Sequence, residues 1–256
     1  MRRGFLMVVC IALAGCLMWP GVVSGQRKAP EIIRGVKKVS PEPTPAPQAE
    51  PAAAPAGDPA RAEINQGLKY LDSQDYAKAI RVLQQALTVN PKSAEAYYYL
   101  GMAFNGNGDQ DKAIKNLNTA VRLSPNFVQA KTALSQIYSQ QGLNLIRQGN
   151  SEQSIGLLKE AIAQNPKNDG AYNNLGVALG KQGRLGESLA ALQQAVAVNP
   201  KNTQAQFNLG VAQYTLGDKD ATVQQYTILT LTDPAAADEL FRIIQGTSQV
   251  ATPFRF

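Results

Sequence analysis

From residue 60 onward, small and apolar side chains return on a fixed beat, whereas the first 59 residues have none. Glycines fall at Gly67, Gly101, Gly142, Gly176 and Gly210, spaced 34, 41, 34 and 34. Pro91, Pro125, Pro166, Pro200 and Pro234 keep the same spacings. Twelve residues after each glycine stands Ala79, Ala113, Ser154, Ser188 or Thr222, and seven further on Ala86, Ala120, Ala161, Ala195 or Leu229. Leucine fills a third place at Leu83, Leu117, Leu158 and Leu192, with Tyr226 in the last block. A period of this length marks stacked supersecondary units. Turns at Gly108, Gly149, Gly183 and Gly217 divide the blocks into two helices each. Small residues are expected to face each other across the pair. The close helix approach offsets the ~1 kcal/mol that glycine costs inside a helix. Leu83, Leu100, Leu117, Leu134, Leu158, Leu175, Leu192 and Leu209 form the predicted core.

Helix starts fit this scheme. Asp58-Pro59 reads as a cap followed by proline at the first helical position, and Asn168 and Asn202 read as caps of later helices. Two departures stand out. "VQAKTAL", 128–134, inserts one heptad, two helical turns, which lengthens the first helix of the third block without rotating its faces much. The fifth block carries Thr222, Tyr226 and Leu229 and is expected to pack less regularly, as terminal repeats do. "PAAADELFRIIQ", 234–245, supplies Leu240, Phe241, Ile243 and Ile244 to cover the open end.

The recurring Leu-Gly, Tyr, Ala, Leu/Phe, Ala, Pro signature resembles the tetratricopeptide repeat family from residue 60 to 234, about two-thirds of the chain. The blocks are 60–93, 94–127, 135–168, 169–202 and 203–236, with the extension 128–134; a capping helix and tail occupy 237–256. The resemblance implies an all-α, right-handed superhelical solenoid of about five antiparallel helix pairs plus a C-terminal capping helix. It also implies that the first helix of each pair lines an inner groove.

Carried over by register, the sixth place of each block holds Asn65, Tyr99, Gln140, Asn174 and Asn208. In some relatives asparagines at this place form a ladder along the backbone of an extended peptide, a task that suits an amide because it both donates and accepts. The alternative is that asparagine belongs to "NLG" for reasons of the repeat itself. The fifth and ninth places hold Ile64 and Leu68, Tyr98 and Met102, Ser139 and Leu143, Asn173 and Val177, Phe207 and Val211. Tyr214 lies one turn further on. An inner face of this composition exposes apolar area of the kind that marks a partner site. Ile64 and Leu68 stand where relatives that grip two carboxylates carry Lys and Asn, so binding of cytosolic chaperone tails is disfavoured.

The first 59 residues read as an address and a tether. Residues 1–25 open with Arg2 and Arg3, then run uncharged from Phe5, as an export signal does. "LAGC", Leu13 to Cys16, resembles the lipobox of bacterial lipoproteins, which makes Cys16 a lipidation candidate and offers membrane attachment. Cleavage after Gly25 is the competing route, and an uncleaved anchor is a third, opposed by Pro20. Residues 26–59 are first basic, then rich in Pro and Ala. The basic segment 27–40 fits anionic lipid head groups as well as plain solvation. Seven prolines between 41 and 60 favour extended polyproline II, a reach of roughly 60 Å at ~3.1 Å per residue.

Composition narrows the function. The chain has 256 residues, no histidine, and two cysteines, Cys10 and Cys16, both in the leader. That removes the commonest general base and metal ligand from the whole chain and the thiol nucleophile from the repeats. Catalysis, a metal and a cofactor are not expected, nor is a small-molecule substrate. Net charge is +6, but residues 60–256 hold 18 Lys/Arg against 15 Asp/Glu and no basic stripe with interleaved aromatics, so nucleic acid is not an expected partner. The expectation is a non-enzymatic scaffold of the bacterial cell envelope, periplasmic or membrane-anchored. Its groove would hold a peptide segment or helix of another envelope protein. The alternative is a self-associating structural module.

Overall fold

The structure is a computed structural model that describes residues 58–246, 254 and 255. The expected export signal, the lipidation candidate Cys16 and the expected tether up to residue 57 lie outside the described residues. The described residues form eleven α-helices and no strand: α1 (Arg61–Asp72), α2 (Tyr76–Val89), α3 (Ala94–Gly106), α4 (Gln110–Leu123), α5 (Val128–Arg147), α6 (Ser151–Gln164), α7 (Asp169–Lys181), α8 (Leu185–Val198), α9 (Thr203–Thr215), α10 (Lys219–Thr232) and α11 (Pro234–Ile244). Consecutive helices pack against each other throughout, as in a solenoid of antiparallel pairs closed by α11. Residues 128–134 are the first two turns of the 20-residue α5.

The recurring glycines have a sharper cause than facing small residues. A Cβ on Gly67, Gly101, Gly142 or Gly176 would lie 2.5–2.7 Å from the leucine sixteen residues on, Leu83, Leu117, Leu158 or Leu192. Each leucine is fully buried against its glycine. The small residue at the twelfth place adds to the contact: the Ser188 hydroxyl donates to the Gly176 carbonyl at 2.6 Å. Block five has Tyr226 in the leucine's place, and its glycine is met by α11 instead. A Cβ on Gly210 would lie 2.8 Å from Leu240, itself fully buried. The closing helix thus returns the missing leucine. Of its other apolar residues, Ile243 is buried while Phe241 is 45% exposed against Tyr226.

Caps and turns hold the register. Asn168, Asn202 and Ser93 accept from the backbone N–H three residues on and cap α7, α9 and α3. Asp75, Asp109 and Asp218 do so for α2, α4 and α10. The first cap differs from expectation: α1 starts at Arg61, and Asp58 accepts from the Ala60 N–H at 2.9 Å without capping it. Asp58 also accepts from Asn90 at 3.0 Å and Ser93 at 3.1 Å, tying the start of block one to its end. Asp169 repeats the tie with Asn199 and Asn202 at 2.9 and 2.7 Å.

The buried side chains fall into two clusters. One runs from Ala60 to Ile137 and the other from Ile146 to Phe254, so α5 serves both. Contacts between first helices run α1–α3, α5–α7 and α7–α9, extend to α11 through α9, and are weakest between α3 and α5.

Candidate functional site

First helices pack on one another at α1–α3, α5–α7 and α7–α9, which makes α1, α3, α5, α7 and α9 the inner wall. Its N-terminal stretch is partly open. Leu68, Tyr98, Met102 and Leu143 are half-buried, and Asn65 and Gln140 are exposed. Tyr98 packs on Tyr99 and Phe127, with ring centroids 4.9 and 5.1 Å apart. Two candidates of this stretch are core residues: Ile64 is fully enclosed and Tyr99 nearly so. Burial, with Glu95 beside it, pushes the Tyr99 hydroxyl up to about 12, so it stays neutral. Glu95 accepts from Arg61 at 3.0 Å, yet burial outweighs that charge and raises its carboxyl above the ordinary range.

The C-terminal stretch is covered. Asn173, Asn174, Val177, Phe207, Asn208 and Val211 are all buried, and part of the cover is the chain's own end. The Phe254 ring sits over Gly180, where a Cβ would come within 2.5 Å of it. Asn208 holds the main chain of Arg255 at two points. Its Oδ1 accepts from the Arg255 N–H at 2.8 Å, and its Nδ2 donates to the Arg255 carbonyl at 3.0 Å. The second Nδ2 hydrogen goes to Asn173 Oδ1 at 2.8 Å, which fixes the orientation of the amide. The Arg255 guanidinium stacks 4.3 Å from the Phe207 ring centroid and pairs with the Glu239 carboxylate. Tyr214 is half-buried, and its hydroxyl donates to the Ile244 carbonyl at 3.2 Å.

A continuous sixth-place ladder therefore does not form. Asn65 faces solvent, Tyr99 is in the core, and Gln140 donates to Asn144 on its own helix at 3.1 Å. Asn174 accepts from neighbouring Asn173 at 3.3 Å. Of the five sixth-place residues, Asn208 is the one that grips main chain, helped by the fifth-place Asn173. Sequence reading missed Gly180, Glu239 and the tail itself. The signal for the first was present: "NNLGVALG" ends in a second glycine, where the other blocks have Leu71, Asn105, Ile146 and Tyr214.

Residues 64–126 match a tetratricopeptide repeat model, and residues 143–183 and 178–217 match a TPR repeat model. The chain belongs to the tetratricopeptide repeat family. Members are in general non-catalytic scaffolds for binding other proteins. Solved structures with the same fold include YrrB, described as a TPR protein with an unusual peptide-binding site. It is 18% identical with a TM-score of 0.52, over 72% of this chain and 93% of that one. Others are MamA 41-end from Desulfovibrio magneticus RS-1, 21% identical, TM-score 0.51, over 70% and 97%, and a MamA RS-1 ArsTM double mutant, 22%, 0.50, over 74% and 98%. No curated protein matches the chain in sequence.

Proposed function

We propose that this protein is a non-enzymatic scaffold of the bacterial cell envelope whose inner groove binds an extended segment of a partner protein. The observation that carries this reading is the two-point hold of Asn208 on one residue's N–H and C=O. In extended backbone those two groups of a residue point the same way, so a single amide reads main chain whatever the side chain. The half-buried Leu68, Tyr98 and Met102 continue the groove with the apolar area a partner would cover. The export leader and the Pro-rich tether support an exported, membrane-proximal location, with Cys16 as the lipidation candidate. A photo-crosslinker placed at Tyr98 in cells, with exposed Gln194 as control, tests it. One discrete adduct from Tyr98 alone is expected, and its mass spectrum names the envelope partner. No adduct at Tyr98, or adducts only with copies of the same chain, would overturn the reading.

A further inference from the structure

We infer that Phe254-Arg255 is a resident occupant of the groove, and that the partner segment replacing it carries an aromatic residue followed by arginine. The inference rests on the groove reading above and names its ligand chemistry. Three independent features build the seat. Gly180 leaves room for a ring at a register position where every other block has a larger side chain. Phe207 and Glu239 receive one guanidinium, the ring by its face and the carboxylate by charge. Asn208, held in one orientation by Asn173, bonds the main chain of the arginine.

A tail that merely collapsed on apolar surface would need no oriented, fully engaged amide. Nor would it need a carboxylate on α11 aimed at its arginine. Two buried asparagines on facing inner helices are costly unless their hydrogen bonds are met, and here Arg255 and Asn173 together meet those of Asn208. The seat reads two adjacent side chains and the backbone of the second. Those are the elements of a peptide-recognition site.

Because residues 247–253 join the tail to α11, its effective concentration at the seat is on the order of millimolar. A free peptide of equal intrinsic affinity, in the range of about 10 μM, would then compete roughly a hundredfold less well than for an empty seat. The tail thus sets a threshold that only a tighter or multiply anchored partner passes.

The test uses the full chain and a fluorescein-labelled peptide of residues 251–256, ATPFRF, read by anisotropy. Phe254→Ser/Arg255→Ser should bind the peptide about a hundredfold more tightly than the unaltered chain, and adding Gly180→Leu should abolish that binding. Equal affinities, or no binding by a double variant that keeps its helical spectrum and melting temperature, would overturn the inference. Should the double variant not fold, carboxypeptidase trimming of the unaltered chain decides. Trimming is expected to stop before Arg255, and in Gly180→Leu to run past Phe254. Equal trimming of the two refutes the seated tail. Protection that vanishes on dilution would put the tail in a second copy and equally refute an internal occupant. Failure of peptide binding alongside a Tyr98 adduct sinks this inference alone. Peptide binding without any Tyr98 adduct sinks the envelope-scaffold reading alone.

Discussion

Blocks one and two draw Ile64 and Tyr99 into the core and leave Leu68, Tyr98 and Met102 half-covered on the inner wall. Blocks four and five put Asn173, Phe207 and Asn208 at the corresponding places and bury all of them, in part beneath Phe254 and Arg255. The helix pairs of blocks one to four are built alike, from the same glycine-against-leucine contact, and in block five α11 supplies the leucine through Leu240. What differs is a handful of positions that leave the packing of the pair unchanged. A repeat scaffold therefore separates two tasks: the glycine, leucine and alanine places fix the stack, and the fifth and sixth places, with the position four residues after the glycine that Gly180 holds, decide what the groove accepts.

The sharpest way to strain that comparison is to put one substitution into both halves. Gly176→Leu drives a branched side chain into Leu192, already within 2.5 Å of a notional Cβ. Overpacking of this kind typically costs 1–3 kcal/mol and occasionally more; we expect about 3 kcal/mol here. Gly67→Leu meets Leu83 nearly as closely, with 2.7 Å to a notional Cβ. However, among the described helices α1 packs on α2 and α3, whereas α7 is wedged among α5, α6, α8 and α9. The terminal helix has room to slide, so its loss should be nearer 1.5 kcal/mol, on the order of the low end of the same range. Chemical denaturation of the two variants measures the gap. Equal losses would mean that the whole stack yields as one body.

Leu240→Ala separates the halves differently. It empties the space below Gly210 in the C-terminal cluster alone, and large-to-small core changes cost about 2–5 kcal/mol. A value around 2.5 kcal/mol is expected, since α11 is a terminal helix that relaxes toward the gap. Amide exchange should accelerate in α9 to α11 and stay unchanged in α1 to α4. Uniform acceleration would deny that α5 divides two cores.

The repeat, its helices and the glycine register were legible because period and packing are both local matters of spacing. The leucine that each glycine admits was legible only in part. A leucine recurs sixteen residues after each of the first four glycines, but the small residue twelve residues on fitted the antiparallel picture, and it was that residue the spacing set against the glycine. The substitution of Leu240 for the missing block-five leucine needed the angle at which α11 returns, which no period carries. The candidate groove was harder still. Register placed Asn208 and Phe207 on the inner wall. Whether Ile64 or Tyr99 point into the groove or the core depends on a rotation of a few tens of degrees about the helix axis. The tail's seat joins residues 47 apart, Asn208 and Arg255, and a contact of that range has no signature in a repeat-based reading beyond the second glycine of "NNLGVALG".

Asn208→Ala tests the filled half with a smaller effect. It removes both bonds to Arg255 and leaves Asn173 Oδ1 without its 2.8 Å donor. An unsatisfied buried acceptor costs about 1–3 kcal/mol, and we expect about 1.5 kcal/mol. The loss should shrink in a chain already carrying Phe254→Ser/Arg255→Ser, because the two changes share one interaction. A double-mutant cycle that closes additively would show that Asn208 and the tail are independent.

The smallest effect lies in the open half and is read through pH. Burial pulls the Asp58 carboxyl upward, but hydrogen bonds from Asn90, Ala60 and Ser93, with the charge of Arg61, leave it below its ordinary 3.8. A depressed acid contributes stability that is present above 3.8 and lost as pH falls through the folded value. Glu95 runs the other way: burial holds it above 4.5, so its ionised form is the disfavoured one, and acid relieves it first. Lowering pH from 6 should therefore steady block one slightly as Glu95 protonates above its ordinary 4.5, and then weaken it as Asp58 protonates below its ordinary 3.8. Asp58→Asn keeps the donors' neighbours in place while removing the titration, and should flatten the acid limb of the melting temperature by a degree or two, on the order of a few tenths of a kcal/mol. An acid limb unchanged in Asp58→Asn would assign the weakening to other carboxylates. The tie between Asp58, Asn90 and Ser93 would then stand as geometry without measurable linkage to protons.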